Sequence, residues 1–176
     1  MATQLITVNT VLASPNFNVS SAQILANASD DSNSTSFENT QGNQLVTFGL
    51  EGTGDYANLA AAASIVSIQP IVTMAAAGKG AASVNTVITD DGSAANATVL
   101  STTSEAPVDL SANVYTPSTG LGGSKLNGLE FNITGNTGGA NVIYRVRFLV
   151  TFILPGGGNI LFHSGKIQLG AGNLSI

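Results

Sequence analysis

The stretch at residues 142–154 constrains this chain more than any other. It reads Val-Ile-Tyr-Arg-Val-Arg-Phe-Leu-Val-Thr-Phe-Ile-Leu, and Val142, Tyr144, Val146, Phe148, Val150, Phe152 and Leu154 fall on one face at period two. Ile143, Arg145, Arg147, Leu149, Thr151 and Ile153 take the other face. Strict alternation in β-branched and aromatic residues is the mark of a strand, not a helix. Its extended length would be ~43 Å, longer than most strands, so a bulge or bend is expected within it. Such a strand belongs at the centre of its sheet.

Turn chemistry brackets it. Gly135-Asn136-Thr137-Gly138-Gly139 leads back to 129–134, where Leu129, Phe131 and Ile133 alternate with Glu130, Asn132 and Thr134. Pro155-Gly156-Gly157-Gly158-Asn159 leads on to a strand at 160–169, and the three are expected to form a meander. The same grammar recurs upstream at 5–12, 17–24, 44–50, 64–74, 84–89, 97–102 and 108–115. In 44–50, Gln44, Val46, Phe48 and Leu50 share a face, and Pro70 marks 64–74 as an edge strand or a bent one. Asp90-Asp91-Gly92-Ser93 is a hairpin turn. The polar run 26–41 is expected as an exposed loop, 75–82 as a flexible connection, and the Ala-rich 55–63 as a short helix. Together these predict an all-β fold, a single antiparallel β-sandwich or jelly-roll-like domain of about nine or ten strands. The domain is expected over 15–169, with an N-terminal arm at 1–14 and a C-terminal tail at 170–176.

Composition narrows the function classes. Only 9% of the 176 residues are charged, and 18 Ser, 18 Thr and 17 Asn stand in their place, the uncharged surface of a β-protein rich in turns. With no Cys and one His, thiolate metal sites, cysteine nucleophiles, disulfides and His-rich centres drop out, and no cofactor is expected. No apolar run is long enough to span a membrane as a helix, and Met1-Ala2-Thr3-Gln4 opens no signal peptide, so cytosolic synthesis is expected. Gly78-Lys79-Gly80 fails the phosphate-loop pattern, since Thr73 stands where the first glycine belongs and Gly80 where a Ser or Thr should follow the lysine. His163-Ser164 lacks a nucleophile elbow, and the absence of Trp with only three Tyr argues against a sugar cleft or a carbohydrate-binding module. Asp30-Asp31, Asp90-Asp91 and Glu51/Asp55 match no calcium loop; Asp90-Asp91 is the best-placed of these for an ion, and an Asp-Gly turn needs none. The residues specify neither an enzyme nor a metal site.

The charges are asymmetric. Residues 1–110 hold nine acids and one base, whereas 111–176 hold Glu130 against Lys125, Arg145, Arg147 and Lys166. Four dispersed bases make no nucleic-acid footprint, but the polarity suits head-to-tail packing. Arg145 and Arg147 on a face shared with Leu149 and Ile153 suggest a surface that something covers, either a second sheet's rim or another subunit. Leu5, Ile6, Val8 and Val11 on the N-terminal arm would give register to a strand added to a neighbouring sheet. These eight residues are the candidate interface.

In composition and strand grammar the whole chain resembles the β-sandwich and jelly-roll accessory proteins of tailed phages. The resemblance implies a virion protein made in the host cytoplasm: a capsid cement or decoration protein, homo-oligomeric and by preference trimeric, bound to a major capsid or other virion protein. The alternative is a receptor- or glycan-binding head domain of a tail fibre or other appendage, with recognition on loops such as 26–41 and 116–124.

Overall fold

The computed structural model describes residues 1–15, 17, 19–30, 32–39, 44–50, 62, 64–78, 80–90, 93–117, 126, 128–136 and 140–154, and the strand backbone of 160–163 and 166–169. In chain order its elements are β1 (Ala2–Thr7), β2 (Thr10–Ala13), α1 (Ser21–Ser29), β3 (Phe37–Asn39), β4 (Leu45–Gly49), β5 (Ser64–Ala77) and β6 (Ala82–Asp90). There follow β7 (Ser93–Thr102), β8 (Val108–Ser111), β9 (Leu129–Gly135), β10 (Ala140–Ile153), β11 (Ile160–His163) and β12 (Lys166–Leu169).

Ten strands make a sandwich of two antiparallel sheets. Sheet A runs β1-β10-β5-β8, with β3 also on β10, and sheet B runs β2-β4-β9-β6-β7. The long alternating stretch is indeed a central strand: β10 pairs with β1, β3 and β5. Its bulge falls at Tyr144, because Ile143 pairs with Met74 and Arg145 with the next residue back, Thr73. The extra residue inverts the pattern on its N-terminal side. Ile143 therefore joins Val146, Phe148, Val150 and Phe152 in the core, off the Arg145/Arg147 face where strict period two puts it.

The inner faces meet in one core. Phe148 of sheet A stands edge-on to Phe131 of sheet B, ring centroids 5.3 Å apart at 90°. Val72, Met74 and Ile68 from β5 pack there with Val46, Phe48, Ile88 and Ile133 from sheet B. In 44–50, Gln44, Val46, Phe48 and Leu50 are buried as expected, and Thr47 and Gly49 of the other face are buried too.

Several expectations need correction. Residues 17–24 form no strand; the Ser20 hydroxyl accepts from the Gln23 N–H and starts α1, whose Ile24 and Ala28 turn into the core. Nor is 26–41 simply an exposed loop, since it holds the end of α1 and β3, with Phe37 buried between Phe17 and Phe48. Residues 129–134 and 142–154 form no meander, because β9 lies in sheet B and β10 in sheet A. Buried Asn141 ties that crossing, its Oδ1 accepting the Ser83 N–H at 2.5 Å.

Pro70 sits in an interior strand. Its carbonyl accepts from Ala112, just past the end of β8, so its missing N–H falls in the gap between the β8 ladder and the Ile68–Tyr115 bridge. The stretch 75–82 is not all connection, since 75–77 complete β5 and Ala82 opens β6. Residues 160–169 divide into the β11–β12 hairpin. The stretch 1–14 is built into this chain's own sheets, β1 on β10 and β2 on β4. The expected helix at 55–63 and the tail at 170–176 lie, but for Ala62, outside the described residues.

Candidate functional site

The outer face of sheet A carries the arginine pair. Arg145 lies opposite Thr73, and Thr73 opposite Asp109 on β8, so register alone assembles the group. Thr73 donates to Asp109 Oδ1 at 2.5 Å and accepts from Arg145 Nε at 3.3 Å and Arg147 Nη2 at 3.5 Å. Arg147 also donates to Asp109 Oδ2 at 2.7 Å, and Arg145 Nη2 stands 3.7 Å from Oδ1. Partial burial pushes the Asp109 carboxyl up, but the bonds from Thr73 and Arg147 and the two guanidinium charges outweigh it and hold the group below its usual 3.8. Both arginine side chains are largely buried, the Nε of Arg147 included, whereas that of Asp109 is 51% exposed.

The face turns apolar toward the other end of β10. Leu5 sits opposite Leu149 and Thr3 opposite Thr151, their hydroxyls 3.4 Å apart. Beyond them Met1, Ala2, Ile153 and Leu154 line an open pocket of about 210 Å³. Met1 is 86% exposed, Leu5 46%, and Ile153 and Leu154 42% each. Strand β1 is the sheet's edge here, and the first charged side chain in the sequence is Asp30.

The outer face of sheet B is of different chemistry. Thr47 donates to Asn132 Oδ1 at 2.6 Å, and Asn132 Nδ2 donates to Thr89 at 2.8 Å. One strand end further, Asn85 donates to Asn136 at 2.6 Å while Asn136 Nδ2 reaches Ser83 at 3.0 Å. Val87 lies opposite Asn132, and Val99, 62% exposed, opposite Asn85. Amides and hydroxyls thus alternate with aliphatic studs, and Glu130, opposite Thr89, is the charged residue among them.

The candidate interface divides in two. Leu5, Arg145, Arg147, Leu149 and Ile153 share the outer face of sheet A, whereas Ile6 and Val8 are buried in this chain's own core and Val11 packs against it. The physical reason is that β1 and β2 already have in-chain partners, so period two buries Ile6 here. Asp90 accepts from the Tyr115 hydroxyl at 2.7 Å, and burial followed by the Asp90 bond and charge pushes Tyr115 up to about 12. Asp91, Lys79, Glu51, Asp55 and Ser164 lie outside the described residues, as does the side chain of His163. Among the described residues no three His, Cys, Asp or Glu side chains gather to hold a metal. Sequence reasoning missed Thr73 and Asp109 as partners of the arginines, and it saw Asn132 and Thr134 only as the polar side of a strand.

No protein-family model matches the sequence, and no curated protein matches it. Solved structures do match in shape. The CBM32 of AlyQ, solved in complex with 4,5-unsaturated mannuronic acid, is 14% identical, with 82% of this chain and 97% of that one covered and a TM-score of 0.50. Truncated AlyQ, with its CBM32 and alginate lyase domains, is 14% identical over 90% of this chain and 36% of that one, again at 0.50. The GH26-CBM35 β-(1,4)-mannanase of Podospora anserina is 13% identical, over 90% and 30%, at 0.49. The chain shares the β-sandwich fold. At these identities the likeness speaks to architecture and not to ligand.

Proposed function

We propose that this chain is a non-catalytic binding domain that takes a glycan on the outer face of sheet B, as the head of an appendage would. The observation that carries the reading is the rank of Thr47, Asn132, Thr89, Asn85, Asn136 and Ser83, cross-linked by hydrogen bonds between strands. Sugar hydroxyls donate and accept at once, and amides and hydroxyls fixed by their neighbours answer both needs without an ion's desolvation cost. Val87 and Val99 offer the C–H face of a pyranose the apolar contact that aromatic rings supply elsewhere. The carbohydrate-binding modules of like fold support this reading over the others in architecture alone.

A glycan array followed by calorimetry tests it. The wild type is expected to retain neutral glycans, and Asn132→Ala, which removes the central amide, to weaken binding about tenfold, the equivalent of one lost polar contact of ~1.4 kcal/mol. An array on which the wild type binds nothing, or an Asn132→Ala variant that binds as well as wild type, overturns the reading. The capsid cement role stands as a second proposal, supported by the exposed aliphatic end of sheet A. Co-sedimentation with capsids and an empty array would favour it.

A further inference from the structure

We infer that the ligand of sheet B is a neutral, linear oligosaccharide lying lengthwise along β9 and held at both ends of that strand, an inference that rests on the glycan reading above. β9 is the middle strand of sheet B, and its buried residues alternate with Glu130, Asn132 and Thr134 on the outer face. Asn136, one residue past the strand, joins this side through its bonds to Asn85 and Ser83. The polar line follows β9 without a break.

Aliphatic side chains stand on either flank of the line. On the β4 side, Leu45 is opposite Thr134, and Leu12 lies over Gly49, its methyl carbons 3.7 Å from where a Cβ on that glycine would stand. On the β6 side, Val87 is opposite Asn132, and Val99 lies one strand further out, opposite Asn85. Polar and apolar groups are thus mixed across the strands but not along β9. A linear glycan carries its hydroxyls on the edges of its rings and C–H groups on their faces. Standing on edge along β9, it sets hydroxyls on the amides and turns its C–H faces to the flanks.

The amides keep capacity for it. Thr47 and Thr89 occupy one lone pair and one hydrogen of Asn132, leaving one of each. Asn85 and Asn136 bond each other reciprocally, at 2.6 and 3.3 Å, and the bond to Ser83 takes the second hydrogen of Asn136. A hydrogen remains on Asn85 and a lone pair on each amide oxygen. Thr47, only 6% exposed, orients Asn132 and does not itself reach a ligand. Asn132 and Asn136 are separated by ~13 Å of extended backbone, farther than one pyranose ring reaches. A monosaccharide takes one end of the line, whereas a longer chain takes both and gains the effective concentration of a linked pair. Glu130, next to Asn132 on the same face, sets the charge: a uronate there would bring two carboxylates together.

Calorimetry and ligand-observed NMR with cello-, manno- and xylo-oligosaccharides, each from monosaccharide through hexasaccharide, test the inference. In a series that binds, affinity should rise about a hundredfold with length and then level off. Asn136→Ala should weaken the hexasaccharide about tenfold and leave the monosaccharide, held at Asn132, nearly unchanged. Oligogalacturonates should bind about tenfold more weakly than the neutral series at low salt, and Glu130→Gln should recover most of that gap. Equal affinity for monosaccharide and hexasaccharide, or an Asn136→Ala variant that holds the hexasaccharide as wild type does, overturns the inference and leaves the glycan reading standing. So does a wild type that binds none of the series while the array retains branched or acidic glycans. An empty array overturns both.

Discussion

Thr73 is the junction of the outer face of sheet A, its one hydroxyl serving Asp109 and both arginines from a buried position. The arrangement has a pH signature. Asp109 titrates below its unfolded value, so the stability it contributes is present above about pH 4 and is lost as pH falls through the lower folded value. Asp109→Asn should therefore flatten the acid limb of a thermal-melting profile while leaving the neutral region nearly level, as befits a half-exposed ion pair. Tyr115 has the opposite sign. Held at about 12, it favours the folded state below its unfolded value of 10.0 and ceases to do so as pH rises through 12. Arg145 and Arg147 were legible in the sequence as residues of a face needing cover. Their partners were not, because Asp109 and Thr73 reach them only through the register of three strands that the sequence leaves free.

At the scale of elements, alternation placed most of the longer strands, although β7 was read only from residue 97 on. Strands β4, β5, β6, β9 and β10 stand close to where period two puts them, and the length of β10 announced a bulge without locating it. Shorter signals misled. Phe17 and Val19 alternate as in a strand, but the Ser20 cap and the spacing of Ile24 and Ala28 belong to a helix that runs across the boundary chosen. Ser20→Ala removes the acceptor for the Gln23 N–H and should cost about 1 kcal/mol, read as a lower denaturation midpoint with an unchanged m-value. Residues 1–14 looked like an arm because the strand that receives β1 lies far along the chain. Nothing local in Ala-Thr-Gln-Leu-Ile-Thr says that its partner begins at Arg147.

For the whole molecule, the sandwich stands on contacts between two sheets that share no strand. Phe131→Ala and Phe148→Ala should each cost roughly 3–5 kcal/mol. The double variant should lose less than the sum, since the two rings touch across the layers; equal additivity in urea titrations would deny that contact its weight. The same connectivity orders events in time. Ala2 pairs with Phe152 and Thr7 with Arg147, so β1 waits for a strand made long after it. β3 and β5 need the same late strand. Until β10 clears the ribosome, sheet A has no centre, and β1, with its bare edge, remains open to any extended segment nearby. Sheet B, complete once β9 has emerged, is the platform on which that wait is spent.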